Sequence, residues 1–331
     1  MRKELILVAF LVAGCGELDN NLTPSTPTQI EGLELTFLEP GLPPGFLAIE
    51  FTSESTGFIT NYNGQIFMTT DSGVNWKETA NSNSPISDLY FLNENEGWAV
   101  GYNSLVMRTK DAGYTWDVVD LETSNNIELR SVWFVNDEVG FISGNKSIFK
   151  TTDGGETWKE IMINNPRGIA TNLAFFNENN GILIGTFGLV AKTSDGANTI
   201  DLVSNFSADA LSITNDLAFA AKENKVYRSA DQGNSWSSIY SFDVPVIFYS
   251  ISFPSDQTGF AFGIGKWIQS AGTKYIEGHS TASIYYTIDG GQSWIGSNAV
   301  HEMGKITAAS FPSPRVGYAM TNGVVVRIQL K

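Results

Sequence analysis

The 331-residue sequence is poor in the residue types on which metal sites, disulfides and nucleic-acid binding depend. It has one cysteine and two histidines, so no intrachain disulfide can form and neither a metal site nor a cofactor is predicted. Cations are scarce, with 20 Lys and Arg against 35 Asp and Glu. The resulting net charge of −15 argues against nucleic acid as a partner, because phosphate recognition needs clustered cations.

The N-terminus has a short apolar run but none long enough to cross a bilayer. Leu5–Ala13 follows Arg2 and Lys3, and a charged start with so short a run predicts an export signal over residues 1–14. Residues 11–15, Leu-Val-Ala-Gly-Cys, resemble the bacterial lipobox, which implies cleavage before Cys15 and attachment of lipid to it. The protein is therefore expected to be bound to a membrane through the lipid on Cys15.

The residues after Cys15 extend this prediction. Gly16, in place of Asp, implies the outer membrane by the usual sorting rule, on the periplasmic or the cell-surface side. Residues 15–28 are polar and include two prolines, a composition typical of a flexible tether between lipid and domain. Residues 29–331 form the predicted folded domain.

The most prominent feature of the sequence is a repeated motif, Ser/Thr-x-Asp-x-Gly-x-Thr/Ser/Asn-Trp. It occurs in five full copies and in one degenerate copy at residues 193–200. Its Asp recurs at steps of 40, 42, 42, 36 and 58 residues. A strand-rich repeat of roughly 40–50 residues predicts a propeller or another stacked array. The repeated Asp and Trp residues are Asp71, Asp111, Asp153, Asp195, Asp231, Asp289, Trp76, Trp116, Trp158, Trp236 and Trp294.

The repeat is predicted to be a structural turn between two strands. Asp side chains hydrogen-bond backbone N–H groups a few residues on, Gly accepts a positive φ, and Trp buries a large ring while its N–H finds a carbonyl. One Asp per unit also places these carboxylates too far apart to share a substrate. Neither catalysis nor calcium binding is therefore predicted for them.

Around each turn the sequence shows four short strands separated by Gly, Asn and Asp, the pattern of a propeller blade. The last unit has three strands, and Ile30–Leu38 at the other end would supply the fourth. The prediction is an all-β fold, a single seven-bladed propeller of four-stranded antiparallel blades, closed by its N-terminal strand. The units are 47–82, 85–122, 128–163, 170–205, 209–241, 247–298 and 306–331.

The turn motif resembles the Asp-box (BNR) repeat family of sialidases, xyloglucanases, sortilin-type receptors and photosystem II assembly factors. The single ring and the phrase Gly97–Gly101 are most similar to the photosystem II stability/assembly factors and their non-photosynthetic relatives, from Leu47 to the end of the chain. The resemblance implies a non-catalytic module that binds a protein partner of the cell envelope or helps assemble a complex. The arginine-rich patch with which photosynthetic members bind partners is not evident here.

A carbohydrate-active module remains the alternative. Sialidases need three convergent arginines and a Phe/Tyr-Arg-Ile-Pro segment, which this sequence lacks, so a classical sialidase is not predicted. The catalytic carboxylates of xyloglucanases do not form a recognisable sequence motif. Glycan binding or glycoside hydrolysis is therefore kept as an alternative, on the same face that protein binding would use. Such enzymes usually have two propellers, and this chain has one.

Basic residues recur three positions before the box Asp. Their repetition predicts a blade feature such as an interblade ion pair, more than a shared site. The residues in this slot are Arg108, Lys150, Lys192 and Arg228, with Arg327 at the comparable place in the last unit.

The longest step of the repeat, from Asp231 to Asp289, points to a binding surface. Its additional residues, 264–281, fall between the second and third strands of unit six, on the face opposite the boxes. They form either a recognition loop or a longer hairpin, and loop aromatics beside cations are common in binding surfaces. The candidate binding residues on this face are Lys266, Trp267, Lys274, Tyr275, His279, Arg130, Arg167, Tyr62, Tyr102 and Phe187.

Overall fold

The computed structural model describes residues 30–331 except 124, 146, 164–169, 204–205, 244–245, 266–267, 272–273, 278–280, 301–304 and 322. At 187, 268–271, 274–277, 281 and 297–300 it describes the backbone alone. The predicted signal, Cys15 and the tether lie outside the described residues. One 3-10 turn, Thr186–Gly188, is present, and no helix in the described ranges is long and apolar enough to cross a membrane.

Seven four-stranded antiparallel sheets account for most of the described chain, as the sequence predicts. The first strands of consecutive sheets contact one another, and the seventh contacts the first, so the sheets form a closed ring of blades. Predicted unit starts agree with the observed first strands to within two residues.

The strands of the first four blades follow in order. Blade 1 has β2 Phe46–Phe51, β3 Gly57–Asn61, β4 Gln65–Thr69 and β5 Lys77–Asn81; blade 2 has β6 Ile86–Phe91, β7 Gly97–Gly101, β8 Val106–Thr109 and β9 Asp117–Val119. Blade 3 has β10 Leu129–Phe134, β11 Gly140–Gly144, β12 Ser147–Thr151 and β13 Lys159–Met162; blade 4 has β14 Ala170–Phe175, β15 Gly181–Gly185, β16 Leu189–Thr193 and β17 Asp201–Leu202.

The last three blades complete the ring. Blade 5 has β18 Ala210–Thr214, β19 Leu217–Lys222, β20 Lys225–Ser229 and β21 Ser237–Ser241; blade 6 has β22 Val246–Ser252, β23 Gly259–Gly265, β26 Thr281–Thr287 and β27 Ile295–Val300. Blade 7 has β28 Ala308–Ser310, β29 Val316–Met320, β30 Val325–Leu330 and, from the N-terminus, β1 Leu33–Leu38.

Strand position within a blade decides burial. The second strands of blades 1, 2, 3 and 7 are buried at every residue, because both of their faces pack against neighbouring blades. They are accordingly rich in apolar residues and glycine rather than alternating. Fourth strands form the outer rim and are largely exposed, as in β5 and β9.

The ring closes through the N-terminal strand, which confirms the prediction. β1 pairs antiparallel with β30 along its whole length, from Leu33 opposite Leu330 to Leu38 opposite Val325. The Lys331 N–H also donates to the Gly32 carbonyl, at 2.9 Å. Two chain segments distant in sequence thereby make one blade, and two sheet edges that would otherwise be open are paired.

Adjacent blades are joined by an aromatic stack. In six blades the first strand or the residue just after it ends in Phe, and this ring lies over the glycine that opens the second strand. Its other face stacks on an aromatic ring from the second strand of the preceding blade, with ring centroids 3.5–4.4 Å apart. The Phe–Gly pairs are Phe51–Gly57, Phe91–Gly97, Phe134–Gly140, Phe175–Gly181, Phe253–Gly259 and Phe311–Gly317.

The additional residues of blade 6 form a hairpin between its second and third strands. β24 Ile268–Ala271 pairs antiparallel with β25 Lys274–Glu277 in a separate two-stranded sheet. The inserted segment thus contains a two-stranded hairpin outside the blade's own sheet. Because it joins a second strand to a third, it emerges on the face opposite the box turns.

Candidate functional site

Each box Asp holds its own turn. In blade 3, Asp153 Oδ1 accepts from the Thr151 hydroxyl at 2.7 Å and from the Thr157 N–H at 2.9 Å, and Oδ2 accepts from the Thr157 hydroxyl at 2.6 Å. These hydrogen bonds, those from Thr157 first, lower the pKa of Asp153 to about 2. The same pattern recurs at Asp71, Asp111, Asp195, Asp231 and Asp289.

Other box residues complete the turn. Box glycines 73, 113, 155, 233 and 291 have φ between 81° and 87°, and the indole N–H groups of Trp76, Trp116 and Trp294 donate to the box glycine carbonyl at 2.9–3.1 Å. In the worn copy Ala197 adopts the same left-handed conformation, with φ 71°. Both oxygens of each box carboxylate thus serve the turn.

Three of the five slot cations reach the next blade, whereas Arg327 donates to Gln329 of its own strand at 2.9 Å. Arg108 forms an ion pair with Glu156 in the box of blade 3, at 2.8 Å, and Lys150 donates to the Gly196 carbonyl in the box of blade 4, at 3.2 Å. Lys192 contacts Asn234 in the box of blade 5. Arg108 also lies over the ring of Trp98, 5.2 Å from its centroid, so this slot covers the aromatic stack.

The opposite face brings two of the candidate residues together. The Arg130 guanidinium lies 5.2 Å from the centroid of the Tyr102 ring and pairs with the Glu128 carboxylate. Tyr102 belongs to the second-to-third-strand loop of blade 2, whereas Arg130 is the second residue of the first strand of blade 3. The arginine remains one-third exposed, so its charge is accessible at the end of the channel.

The Tyr102 loop is fixed by its neighbours. The Tyr102 N–H donates to Pro85 O at 2.9 Å and Asn103 Nδ2 donates to Ser84 Oγ at 3.2 Å, both in the preceding interblade connection. On the other side, Ser104 N–H donates to Ile127 O at 2.8 Å. A side chain presented from such a loop is held in place before any partner arrives.

The other candidate residues form no comparable cation–aromatic contact among the side chains that the structure describes. Tyr62 is 56% exposed, and its backbone N–H donates to Gly45 O at 3.0 Å, so it projects from blade 1 without an aromatic or cationic partner in the described part of the chain. Lys274 and Tyr275 lie in β25 and Phe187 in the 3-10 turn, placed by their backbone. Lys266, Trp267, His279 and Arg167 lie outside the described residues.

The first strands of all seven blades line a central channel with a cavity of about 600 Å³. Its charged lining residues are Glu50, Asp88, Arg130 and Asp209. Burial, followed by the proximity of Asp88, raises the pKa of Glu50 to about 8. Burial also raises the pKa of Asp88 to about 6, against the hydrogen bonds donated by Val132 N–H, Ser131 and Leu89 N–H. The channel therefore holds acids that are only partly ionised at neutral pH.

Sequence reasoning missed several residues at this end of the channel. Lys305 Nζ lies 3.7 Å from the centroid of the Tyr249 ring, and Lys222 pairs with Asp209 at 2.8 Å. The signal was present in part, because Ile247 and Tyr249 alternate with buried residues along β22 and are exposed, and Tyr249 lines the channel. The pairing across blades could not be read from one strand. Within the described ranges, no cluster of three or more acidic, His or Cys side chains could hold a metal ion.

A closed ring of seven blades, six of which carry an Asp-box turn between their third and fourth strands, defines an Asp-box β-propeller. Residues 79–168 match the family model of the photosynthesis system II assembly factor YCF48. Comparison with curated protein sequences gave no match. The chain thus has a β-propeller fold, and its residues 79–168 are similar to the YCF48 assembly factors.

Solved structures share this fold. YCF48 bound to a D1 peptide is 18% identical with a TM-score of 0.68, covering 92% of this chain and 99% of that one. YCF48 from Cyanidioschyzon merolae is 17% identical with a TM-score of 0.70, over 90% and 99%. The GH74 xyloglucanase from Xanthomonas campestris is 10% identical with a TM-score of 0.64, over 87% of this chain and 52% of that one. Identities this low show a common fold alone.

Proposed function

We propose that this protein is a lipid-anchored propeller of the cell envelope that binds a protein partner, without catalysis, to help assemble a complex. The observation that carries the proposal is a pair of cation–aromatic contacts on opposite sides of the channel mouth. Arg130 and Tyr102 lie at blades 2 and 3, and Lys305 and Tyr249 lie at blades 6 and 7. Aromatic side chains and arginine are enriched at the energetic centres of protein interfaces.

The comparisons support a peptide or protein as the ligand. The YCF48 fold has been solved with a bound peptide, and the family model that matches residues 79–168 is that of an assembly factor. The two contacts differ in electrostatic surroundings, because Arg130 has Glu128 beside it whereas Lys305 has no acidic partner among the described residues. A partner segment lying across the mouth would meet an aromatic ring at each side and an accessible positive charge at Lys305.

Site-specific photo-crosslinking in the native envelope tests the location of binding. A photoreactive phenylalanine at Tyr102 should crosslink a defined protein, identified by mass spectrometry. The matched control is Tyr114, also an exposed tyrosine of blade 2 but in the box turn on the other face. Equal crosslinking from both positions, or none from Tyr102, would contradict the proposal. Arg130→Gln combined with Lys305→Gln should reduce the Tyr102 crosslink.

The anchor and the alternative ligand are tested separately. Wild-type protein should partition into detergent and carry the mass of a lipidated Cys15, whereas Cys15→Ser should remain aqueous. A glycan array and a reducing-sugar assay on the purified propeller should both be blank. A saturable glycan signal that is lost in Tyr102→Ala would favour the carbohydrate-active module instead.

A further inference from the structure

One layer of the channel differs from the others. Glu50, Tyr90 and Trp133 occupy the same position, one residue before the terminal Phe, in the first strands of blades 1, 2 and 3. Blades 4–7 carry small or apolar residues at that position, namely Ala174, Ile213, Ser252 and Ser310. The polar and aromatic groups are therefore gathered on one side of the channel, toward the face of the box turns.

The two rings are fixed, and their hydrogen-bonding groups are already used. Tyr90 and Trp133 have centroids 5.5 Å apart with a tilt of 46°. The Tyr90 hydroxyl donates to Phe134 O at 2.7 Å, and Trp133 Nε1 donates to Phe175 O at 3.1 Å, each in the next blade. Both rings line the cavity, so aromatic surface rather than a polar group is offered to an occupant.

The carboxylates beside these rings lack a cation. Asp88 accepts from the Leu89 and Val132 N–H groups, both at 3.0 Å, and Glu50 receives a hydrogen bond from Ser310. Neither has a Lys or Arg ion-pair partner in the part of the chain that the structure describes. Glu50 is close enough to Tyr90 for its charge to add to burial in raising the tyrosine pKa to about 12. Glu50, Asp88 and Tyr90 thus share one electrostatic environment, and Trp133 lies against Tyr90.

We propose that this layer is a second binding site, which receives the cationic side chain of a lysine or arginine from a protein partner. Carboxylates accept charge-assisted hydrogen bonds from ammonium and guanidinium groups, and aromatic faces attract organic cations. A bare metal ion would need more oxygen ligands than two carboxylates supply. The site goes beyond the proposed function, since it uses other residues and lies toward the other face.

The proton balance of this site gives a specific signature. Because Glu50 with a pKa of about 8 is mostly protonated at pH 7, a cation that pairs with its carboxylate must displace a proton. Binding should release up to about one proton at pH 7, and affinity should rise by up to about tenfold between pH 6 and pH 7. A cation bound elsewhere on the acidic surface would show neither effect.

Calorimetry with defined peptides tests the inference. The probe is a capped heptapeptide whose only charged residue is a central Lys or Arg, and the controls replace that residue with norleucine or citrulline. Titration in buffers of different ionisation enthalpy measures the protons released. The cationic peptides should bind at least about tenfold more tightly than their neutral counterparts, with proton release.

Variants locate the binding. Glu50→Gln reproduces the shape of the neutral acid, so the fold should persist, while affinity falls at least about tenfold and proton release disappears. Glu94→Gln, at an exposed acid in the first turn of blade 2, is the matched control and should change nothing. Trp133→Leu should weaken binding without removing the proton release.

Several results would overturn the inference. They are equal binding of the norleucine peptide, no saturation by the Lys peptide up to about 10 mM, binding without proton release, and unchanged affinity in Glu50→Gln. Saturable binding of calcium chloride in place of the peptide would also overturn it, by assigning the layer to a metal ion.

Discussion

Gly140→Ala is expected to destabilise the propeller because the added methyl group would collide with the tightly packed ring of Phe134. An added Cβ would lie 2.5 Å from the Phe134 ring, well inside van der Waals contact. That ring is 1% exposed, and its far face stacks on Trp98 with centroids 3.7 Å apart. The edge is occupied by Trp158, at 5.8 Å and 85°. The ring has no space to retreat.

The change in the free energy of unfolding combines one stabilising and two destabilising contributions. Gly140 lies in a strand without a positive φ, so alanine alone would stabilise by about 0.4–1 kcal/mol through the unfolded state. Overpacking costs about 1–3 kcal/mol, and displacing the ring loses a stacking contact of about 0.5–1.5 kcal/mol. The net expectation is a loss of about 0.5–4 kcal/mol in the free energy of unfolding, centred on about 2 kcal/mol.

Urea denaturation of a double-mutant cycle measures this. Gly140→Ala should be much less harmful when Phe134→Leu has removed the ring, with a coupling energy of about 1–3 kcal/mol. Blade 5 provides a natural precedent, since Thr214 and Leu217 replace the Phe–Gly pair there. If Gly140→Ala cost the same in both backgrounds, or stabilised the wild type, the interblade stack would not be the reason for the glycine.

Three further outcomes are expected. Removing residues 30–38 should lower the free energy of unfolding by at least about 2 kcal/mol through loss of the buried Leu33 alone. Removing residues 1–28 is the control and should leave the melting temperature unchanged. Equal melting temperatures for the two truncated proteins would contradict ring closure. The pKa of Glu50 is about 8 in the folded protein, above its ordinary value of 4.5. Between these two pH values the unfolded state binds fewer protons than the folded state. The stability of the wild-type protein should therefore fall as pH rises from about 5 to 8. Glu50→Gln should flatten most of that fall in urea titrations, and an identical slope would refute the burial argument. Asp153→Ala should lose about 1 kcal/mol by breaking the turn's hydrogen bonds, without changing ligand binding in calorimetry.

Lipid attachment remains a separate issue from the fold. Cys15 and the tether are predictions from positions 1–28 of the sequence, and nothing in the propeller requires them. They predict where the protein works, whereas the ring determines what surface it presents. The lipid-free Cys15→Ser chain is therefore the appropriate background for the stability and calorimetry experiments above.

The sequence was sufficient for the architecture because each blade repeats one local solution. The Asp-box turn depends on hydrogen bonds within a single short segment, from Thr151 to Thr157, and such contacts are visible as a motif. The count of seven and the closure by Ile30–Leu38 followed from one incomplete unit at each end. The recurrence of the slot cations likewise predicted a blade feature such as an interblade ion pair, which Arg108 forms with Glu156.

The candidate sites depended on which side chains the ring brings together, and no repeat encodes that. Glu50, Tyr90 and Trp133 lie about 40 residues apart along the chain and become neighbours because equivalent strand positions form one layer of the channel. Arg130 was a candidate from sequence, but its contact with Tyr102 appeared only when blades 2 and 3 were packed. The hydrogen bonds of the Asp-box turn recur in each copy of the repeat and can be predicted from the sequence. The chemistry of the channel arises where the blades differ, so only their arrangement in space decides it.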